Sequence, residues 1–160
     1  MVKNHKGRKI NSAYRESSKL TDKLIKQNIK SNAAERKANK AFTQYAKDAK
    51  EYNMISKKLD KAENGISAKL IGANGRKIRK LEQSLDRQEK TMNLSKNDYD
   101  VKHAKAIEQK YKSEKIAHIA TIKQEKAGKI AAKYIDQYSH AEYKQLYDKY
   151  PKLQYYENNH

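Results

Sequence analysis

The chain of 160 residues has no cysteine, no tryptophan, one proline, one phenylalanine and five glycines. Without cysteine there is no disulfide, no thiolate metal ligand and no cysteine nucleophile. Proline and glycine are the residues that most often interrupt helices, and no stretch of four or more residues alternates between apolar and polar as a strand does. These absences favour an all-α chain.

Large apolar residues are also scarce. Leucine, isoleucine, valine and phenylalanine together make 25 of the 160 residues. Below a fraction of about 20%, a highly charged chain has little apolar surface to offset the entropy lost on folding. The abundant alanine, lysine, glutamine and glutamate are good helix formers. We therefore expect a helical chain with a small core, which completes its fold on a partner or in an assembly.

Acidic residues are outnumbered, with 19 Asp and Glu against 37 Lys and Arg, for a formal net charge of +18. Such a surplus attracts polyanions, meaning nucleic acid or anionic lipid. Lysine accounts for 31 of the basic residues. Its point charge suits phosphate, whereas base reading favours the arginine fork, so we expect nucleic-acid binding without sequence specificity.

Long apolar runs are absent. No stretch approaches the roughly 18 apolar residues of a membrane span, and the basic start lacks the apolar segment of a signal peptide. The sequence therefore predicts no membrane span and no signal peptide. It predicts a virion or cytoplasmic location. A membrane-surface role is disfavoured because the helix faces opposite the lysines carry mainly alanine and tyrosine.

A seven-residue repeat runs through the first half of the chain. It comprises Leu24, Ser31, Ala38, Tyr45, Tyr52, Leu59 and Ile66, with Phe42, Ala49, Ile55 and Ala62 at offsets of three or four. This spacing is typical of a coiled coil. It predicts a long helix over 13–63, after a flexible basic arm at 1–12.

Two Asn-Gly pairs follow, at 64–65 and 74–75. Such pairs end helices, so we assign residues 64–75 to a Gly/Asn hinge. A helix over 76–94 should follow, with Ile78, Leu81, Leu85 and Met92 on one side.

Ser95 and Asp98 have the spacing of a capping box, which predicts the start of a long Lys/Ala-rich helix at 95–150. Pro151 ends it and leaves a tyrosine-rich tail at 151–160. The expected fold is all-α and elongated, with long helices that either form a coiled-coil-like hairpin or stay extended.

Catalytic motifs are missing from the chain. There is no GxSxG, HExxH, GxxxxGK[ST] or GxGxxG, and the five histidines are scattered. We expect no enzymatic activity, no metal, no cofactor and no small-molecule substrate.

Two basic clusters are candidates for phosphate contact: the N-terminal arm, and GANGRKIRK at 72–80, where a helix start would offer free amides to an anion. The candidate residues are Lys3, Lys6, Arg8, Lys9, Arg76, Lys77, Arg79 and Lys80. The alternative is that both are ordinary solvated charges.

The stretch ISAKLIGANGRKIRKLEQ resembles the core of a helix-turn-helix. Ala68 lies four residues before the glycine of the turn, Gly72, and two apolar residues, Ile78 and Leu81, follow at the family's spacing. The resemblance implies a DNA-binding regulator centred on 64–83. Its second helix would enter the major groove with Arg76, Lys77 and Arg79.

Tyrosines concentrate near the C-terminus, where seven of the 12 lie between Tyr134 and Tyr156. Single-strand binding grooves combine rings with basic charge, but residues 134–160 hold three lysines against four acids. The helical spacing of the rings favours docking on protein, with packing against the first helix as the alternative. The candidate interface residues are Tyr138, Tyr143, Leu146, Tyr147, Tyr150, Tyr155 and Tyr156.

The leading hypothesis is therefore a non-enzymatic, basic, helical structural protein of a nucleic-acid-containing assembly. A bacteriophage virion component or internal virion protein fits this description. Its protein partners would be neighbours in that assembly or further copies of itself. The helix-turn-helix regulator is one alternative, and a helical assembly scaffold without a nucleic-acid role is the other.

Overall fold

The computed structural model describes the backbone of residues 2–65 and 71–134, and the side chains from Arg8 to Gly65 and from Gly75 to Lys133. The described residues form two long helices, α1 (Val2–Asn64) and α2 (Ile71–Tyr134), and contain no strand. This confirms the all-α prediction. Within these residues, neither helix holds an apolar stretch that would cross a membrane.

Helix α1 begins at Val2, so residues 2–12 belong to the helix and do not form a separate arm. Burial explains this early start. Ile10 and Tyr14 are only 3% and 6% exposed, and they pack with Ala127 and Ala131 of α2. Because these contacts hold Ile10 and Tyr14 in a helical conformation, the first turns of α1 can add to a helix that already exists.

The break between the helices is shorter than predicted. Gly65 closes α1, since its backbone N–H donates to the carbonyl of Lys61 at 3.0 Å. Helix α2 then begins at Ile71 and includes Gly72–Gly75, which the sequence placed in the hinge. A glycine inside a helix costs only about 1 kcal/mol. The strong helix formers that follow therefore stabilise a helix that includes both Gly72 and Gly75.

The predicted helix start at Ser95 is wrong, because α2 runs through it without a break. The Ser95 hydroxyl donates to the carbonyl of Met92 at 3.0 Å and caps no first-turn amide. Asp98 instead accepts from the Lys102 ammonium at 2.6 Å. A serine within a helix can bond a preceding carbonyl in this way, so the capping-box spacing does not by itself end a helix.

Both helices carry a seven-residue repeat of low exposure. On α1, position a falls at Ile10 and every seventh residue to Leu59, and position d falls three residues after each a. On α2, position a runs likewise from Ile78 to Ala127, again with d three residues later. Every a and d residue is buried or half-buried, which confirms the predicted coiled-coil spacing.

Phe42 of the predicted stripe lies outside the a and d positions and is 50% exposed. Small or polar residues, which a search for large apolar side chains does not find, occupy several of the buried positions. The buried residues of α1 that the predicted stripe missed are Ile10, Tyr14, Ser17, Ala34, Ala41 and Asp48.

The chain divides into two compact units. Unit 1 comprises Met1–Ser31 and Gln109–His160. Its two helix segments are antiparallel, because Ile10 packs with Ala131 while Gln27 bonds Gln109. Its core is small, and Ala127 at its centre is fully buried.

Unit 2 comprises Asn32–Glu108. Its helix segments are also antiparallel, since Phe42 contacts Tyr99 and the Gln88 side-chain amide donates to the backbone carbonyl of Asp48. Its buried residues are Ala34, Ala38, Ala41 and Asp48. Alanines bury little apolar area, so the stabilisation gained from each contact is small.

Candidate nucleic-acid interface

An open groove lies between α1 and α2 within unit 1, with a volume of about 630 Å³. Its charged lining consists of Lys9, Glu16, Lys123, Lys126, Lys129 and Lys133. Ser12, Ala13 and Ile130 complete the lining. Five ammonium groups and one carboxylate therefore share one cleft.

Helical spacing produces this concentration of charge. Lys126, Lys129 and Lys133 recur at steps of three and four residues, so they project from the same side of α2. The small Ala13 and the half-buried Ile130 sit beside them at the seam. Because the helices are antiparallel in this unit, Lys9 near the start of α1 joins the lysines near the end of α2.

One ion pair sits in the groove. The Lys123 ammonium lies 3.0 Å from a carboxylate oxygen of Glu16, with the two side chains 43% and 57% exposed. An exposed pair of this kind contributes about 0–1 kcal/mol, so it holds the groove's acid in place only weakly. The remaining lysines exceed the acid in number, and the groove keeps a strongly positive potential.

This arrangement suits a phosphate backbone. Each lysine that neutralises a phosphate releases condensed counterions, which supplies affinity without reading bases. The part of the lining that the structure describes contains no arginine, whose fork would favour bidentate contact with guanine. A polyanion in the groove would therefore meet ammonium groups and, among the described lining residues, no base-reading fork.

Of the four residues predicted to contact phosphate near the N-terminus, the structure describes the side chains of two. Lys9 lies in the groove, and Arg8 is exposed on α1. The side chains of Lys3 and Lys6 lie outside the described residues, so their role stays a prediction.

The second predicted cluster lies in unit 2. Arg76, Lys77, Arg79 and Lys80 are all exposed on α2. They do not stand in the first turn as predicted, because the helix begins at Ile71. The free amides of a helix start belong to its first four residues, so these basic side chains lie beyond the helix-terminus anion site.

The geometry expected from the helix-turn-helix resemblance is not found. That resemblance requires a turn at Gly72, and Gly72 lies within α2. Ala68 falls outside the described residues. The two arginines and the lysine proposed for the major groove therefore do not begin a helix that follows such a turn.

The tyrosine-rich end cannot be compared with the structure in the same way. Tyr138, Tyr143, Leu146, Tyr147, Tyr150, Tyr155 and Tyr156 all lie outside the described residues. Their role in docking on protein stays a prediction.

Four lysines of the groove were not among the predicted phosphate contacts: Lys123, Lys126, Lys129 and Lys133. A signal was present, since these lysines flank the apolar stripe formed by Ala127 and Ile130. The chain-wide lysine excess concealed it, and the meeting with Lys9 depends on how the two helices pair. Among the residues that the structure describes, no group of three or more histidine or acidic side chains could hold a metal ion.

No protein-family model, curated protein or solved structure matches this chain.

Proposed function

We propose that this chain is a non-enzymatic, basic, helical protein that binds the phosphate backbone of nucleic acid without reading its sequence. It would act as a structural component of a nucleic-acid-containing assembly. The observation that carries the proposal is the groove of unit 1, in which five lysines stand against one glutamate. The net charge of +18 supports it, because the whole chain is drawn to a polyanion.

The kind of assembly is a finer proposal. A bacteriophage particle fits a lysine-rich helical chain whose frequent residues Lys, Asn, Ile and Tyr have A/T-rich codons. Protein neighbours would be held by the tyrosine-rich end, which has less positive charge than the rest of the chain. Both parts extend the phosphate-binding proposal and neither is needed for it.

A salt titration tests the proposal. Affinity would be measured for two unrelated duplexes of equal length over a range of salt concentrations. We expect equal affinities for the two sequences. The four groove lysines other than Lys123, which pairs with Glu16, would alone give log Kobs against log salt a slope of about −3 to −4.

Two other outcomes would contradict the proposal. A strong preference for one duplex would indicate sequence reading, as in the regulator alternative. The absence of binding at moderate salt would leave the charge with a role in solubility only, as in the assembly-scaffold alternative.

A further inference from the structure

Basic and acidic residues are distributed unevenly between the two sides of each helix. In the repeat defined above, positions c and g lie on one side of the a/d seam and positions b and e lie on the other. Position c falls two residues after each a, and position g one residue before it. The two sides can be compared directly, because each holds two of the seven positions.

In unit 1 the c/g side is almost wholly basic. On α1 it carries Lys9, Lys19, Lys23, Lys26 and Lys30. On α2 it carries Lys112, Lys115, Lys126, Lys129 and Lys133. Glu16 is the acid among these described positions, so the side holds ten basic residues against one. Among the described b/e positions of the same unit there is one basic residue, Lys110, and one acidic residue, Glu114.

In unit 2 the sorting is stronger, because the b/e side is acidic. The c/g side carries Lys37, Lys40, Lys47, Lys58 and Lys61 on α1. On α2 it carries Lys77, Lys80, Arg87 and Lys105. Against these nine stand three acids, Glu51, Asp98 and Glu108.

The b/e side of unit 2 reverses this balance. Its acids on α1 are Glu35, Asp60 and Glu63. Its acids on α2 are Glu82, Asp86, Glu89 and Asp100. Only Arg79 and Lys96 oppose these seven carboxylates.

In each unit, the c/g side of α1 lies next to the c/g side of α2, and the two b/e sides likewise lie next to each other. In unit 1 the groove is lined only by c, d and g residues of both helices. In unit 2 the contact between Phe42, at an e position, and Tyr99, at an a position, marks the opposite edge. The rings lie 5.3 Å apart, and His103, also at an e position, stacks on Tyr99 at the same distance. The c/g residues of α1 and α2 therefore share one surface within each unit.

We propose that this c/g surface is where nucleic acid lies in each unit, and that the b/e surface stays free of it. The inference rests on the proposed function and adds the location of the binding surface. If the positive charge served only solubility, basic residues would be expected on both sides of the seam, because outward positions on the two sides are equally exposed to solvent. Every basic residue at the described c and g positions is exposed, as phosphate contact requires.

Lysine footprinting tests the inference on the unmodified chain. The protein would be treated with an amine-acetylating reagent alone and with a random-sequence duplex of about 30 base pairs, which offers roughly 100 Å of backbone. Mass spectrometry then gives the acetylation rate of each lysine. Each unit has its own internal control: Lys110 on the b/e side of unit 1, and Lys96 on that of unit 2.

We expect the duplex to slow acetylation at Lys23, Lys26, Lys37 and Lys40 by at least about threefold, as contact with phosphate shields an ammonium group. Lys96 and Lys110 should change by less than about half of that. Equal protection of both sides, or no protection in a complex that a mobility shift detects, would overturn the inference and leave the proposed function standing. Failure to form any complex would overturn the proposed function itself.

Discussion

The ammonium group of Lys123 and the carboxylate of Glu16 lie 3.0 Å apart in the groove of unit 1. Glu16 is the acid among five lysines in the described lining of that groove. A phosphate that entered the groove would meet a lysine already engaged and a carboxylate that repels it. This pair therefore opposes the binding that the rest of the groove favours.

Replacing Glu16 by glutamine should strengthen nucleic-acid binding. The change removes a like charge from the path of the phosphate and releases Lys123 as a further contact. We expect affinity to rise by about threefold to tenfold at low salt and the salt slope to steepen by up to about 1. Fluorescence anisotropy with a labelled duplex measures both quantities.

Glu114→Gln is the matched control, since it makes the same charge change on the b/e side of unit 1. Its affinity should rise by less than about twofold. Equal gains in the two variants would show that only net charge matters and that Glu16 has no special position.

Replacing Asp48 by leucine should stabilise unit 2. Asp48 is 5% exposed, and its Oδ2 has no hydrogen-bond partner, while its Oδ1 accepts from Gln44 at 2.9 Å. A buried carboxylate without full compensation destabilises the fold, and Gln44 is exposed and can bond water instead. We expect a gain of about 1–2 kcal/mol in the free energy of unfolding, measured by urea denaturation.

The control here is Asp60→Leu, at an exposed position of the same helix. It should change stability by no more than about 0.5 kcal/mol. A loss of stability in Asp48→Leu would mean that the seam needs this carboxylate, as a device that fixes the pairing of the helices.

Replacing Ala127 by leucine should destabilise unit 1. Ala127 is fully buried and packs with Ile10 and Tyr14, so the larger side chain has no space. Overpacking of this kind costs about 1–3 kcal/mol. Thermal unfolding followed by circular dichroism would record it as a lower Tm, while Ala132→Leu at an exposed position should leave the Tm nearly unchanged. A Tm equal to that of the unaltered chain would show that the helices are not closely packed at Ala127.

Replacing Ser95 by alanine tests the continuity of α2. Since Ser95 lies within the helix and donates only to the carbonyl of Met92, the change should alter stability by less than about 0.5 kcal/mol. A serine that capped a helix start would instead cost about 1 kcal/mol or more when removed. A loss of that size in urea denaturation would restore the predicted helix start at Ser95.

Much of the fold could be predicted from the sequence, because the seven-residue repeat is a local property of each helix. Leu24, Ala38 and Leu59 identified the seam of α1, and Ile78, Leu81 and Leu85 that of α2. Helix ends were less predictable. The Ser95 spacing fits both a cap and a helix interior, and only the contacts of Ile10 account for the early start of α1.

The groove could not be predicted in the same way. Lys126 and Lys129 look like any other lysines in a chain with 31 of them. Their meeting with Lys9 depends on the antiparallel pairing within unit 1, which no local pattern specifies. The sorting of charge was present in the sequence, but it can be read only after the a and d positions are known for both helices.

The location of the binding surface is tested most directly by the double variant Lys126→Gln and Lys129→Gln, compared with the double variant Lys96→Gln and Lys110→Gln. Both remove two positive charges, the first from the groove and the second from the b/e side. The measurement is the slope of log Kobs against log salt on a random-sequence duplex, with helicity checked by circular dichroism. We expect a slope shallower by about 2 for the groove variant and by less than about 1 for its control. Equal slopes in two variants of unchanged helicity would show that nucleic acid does not prefer the c/g surface.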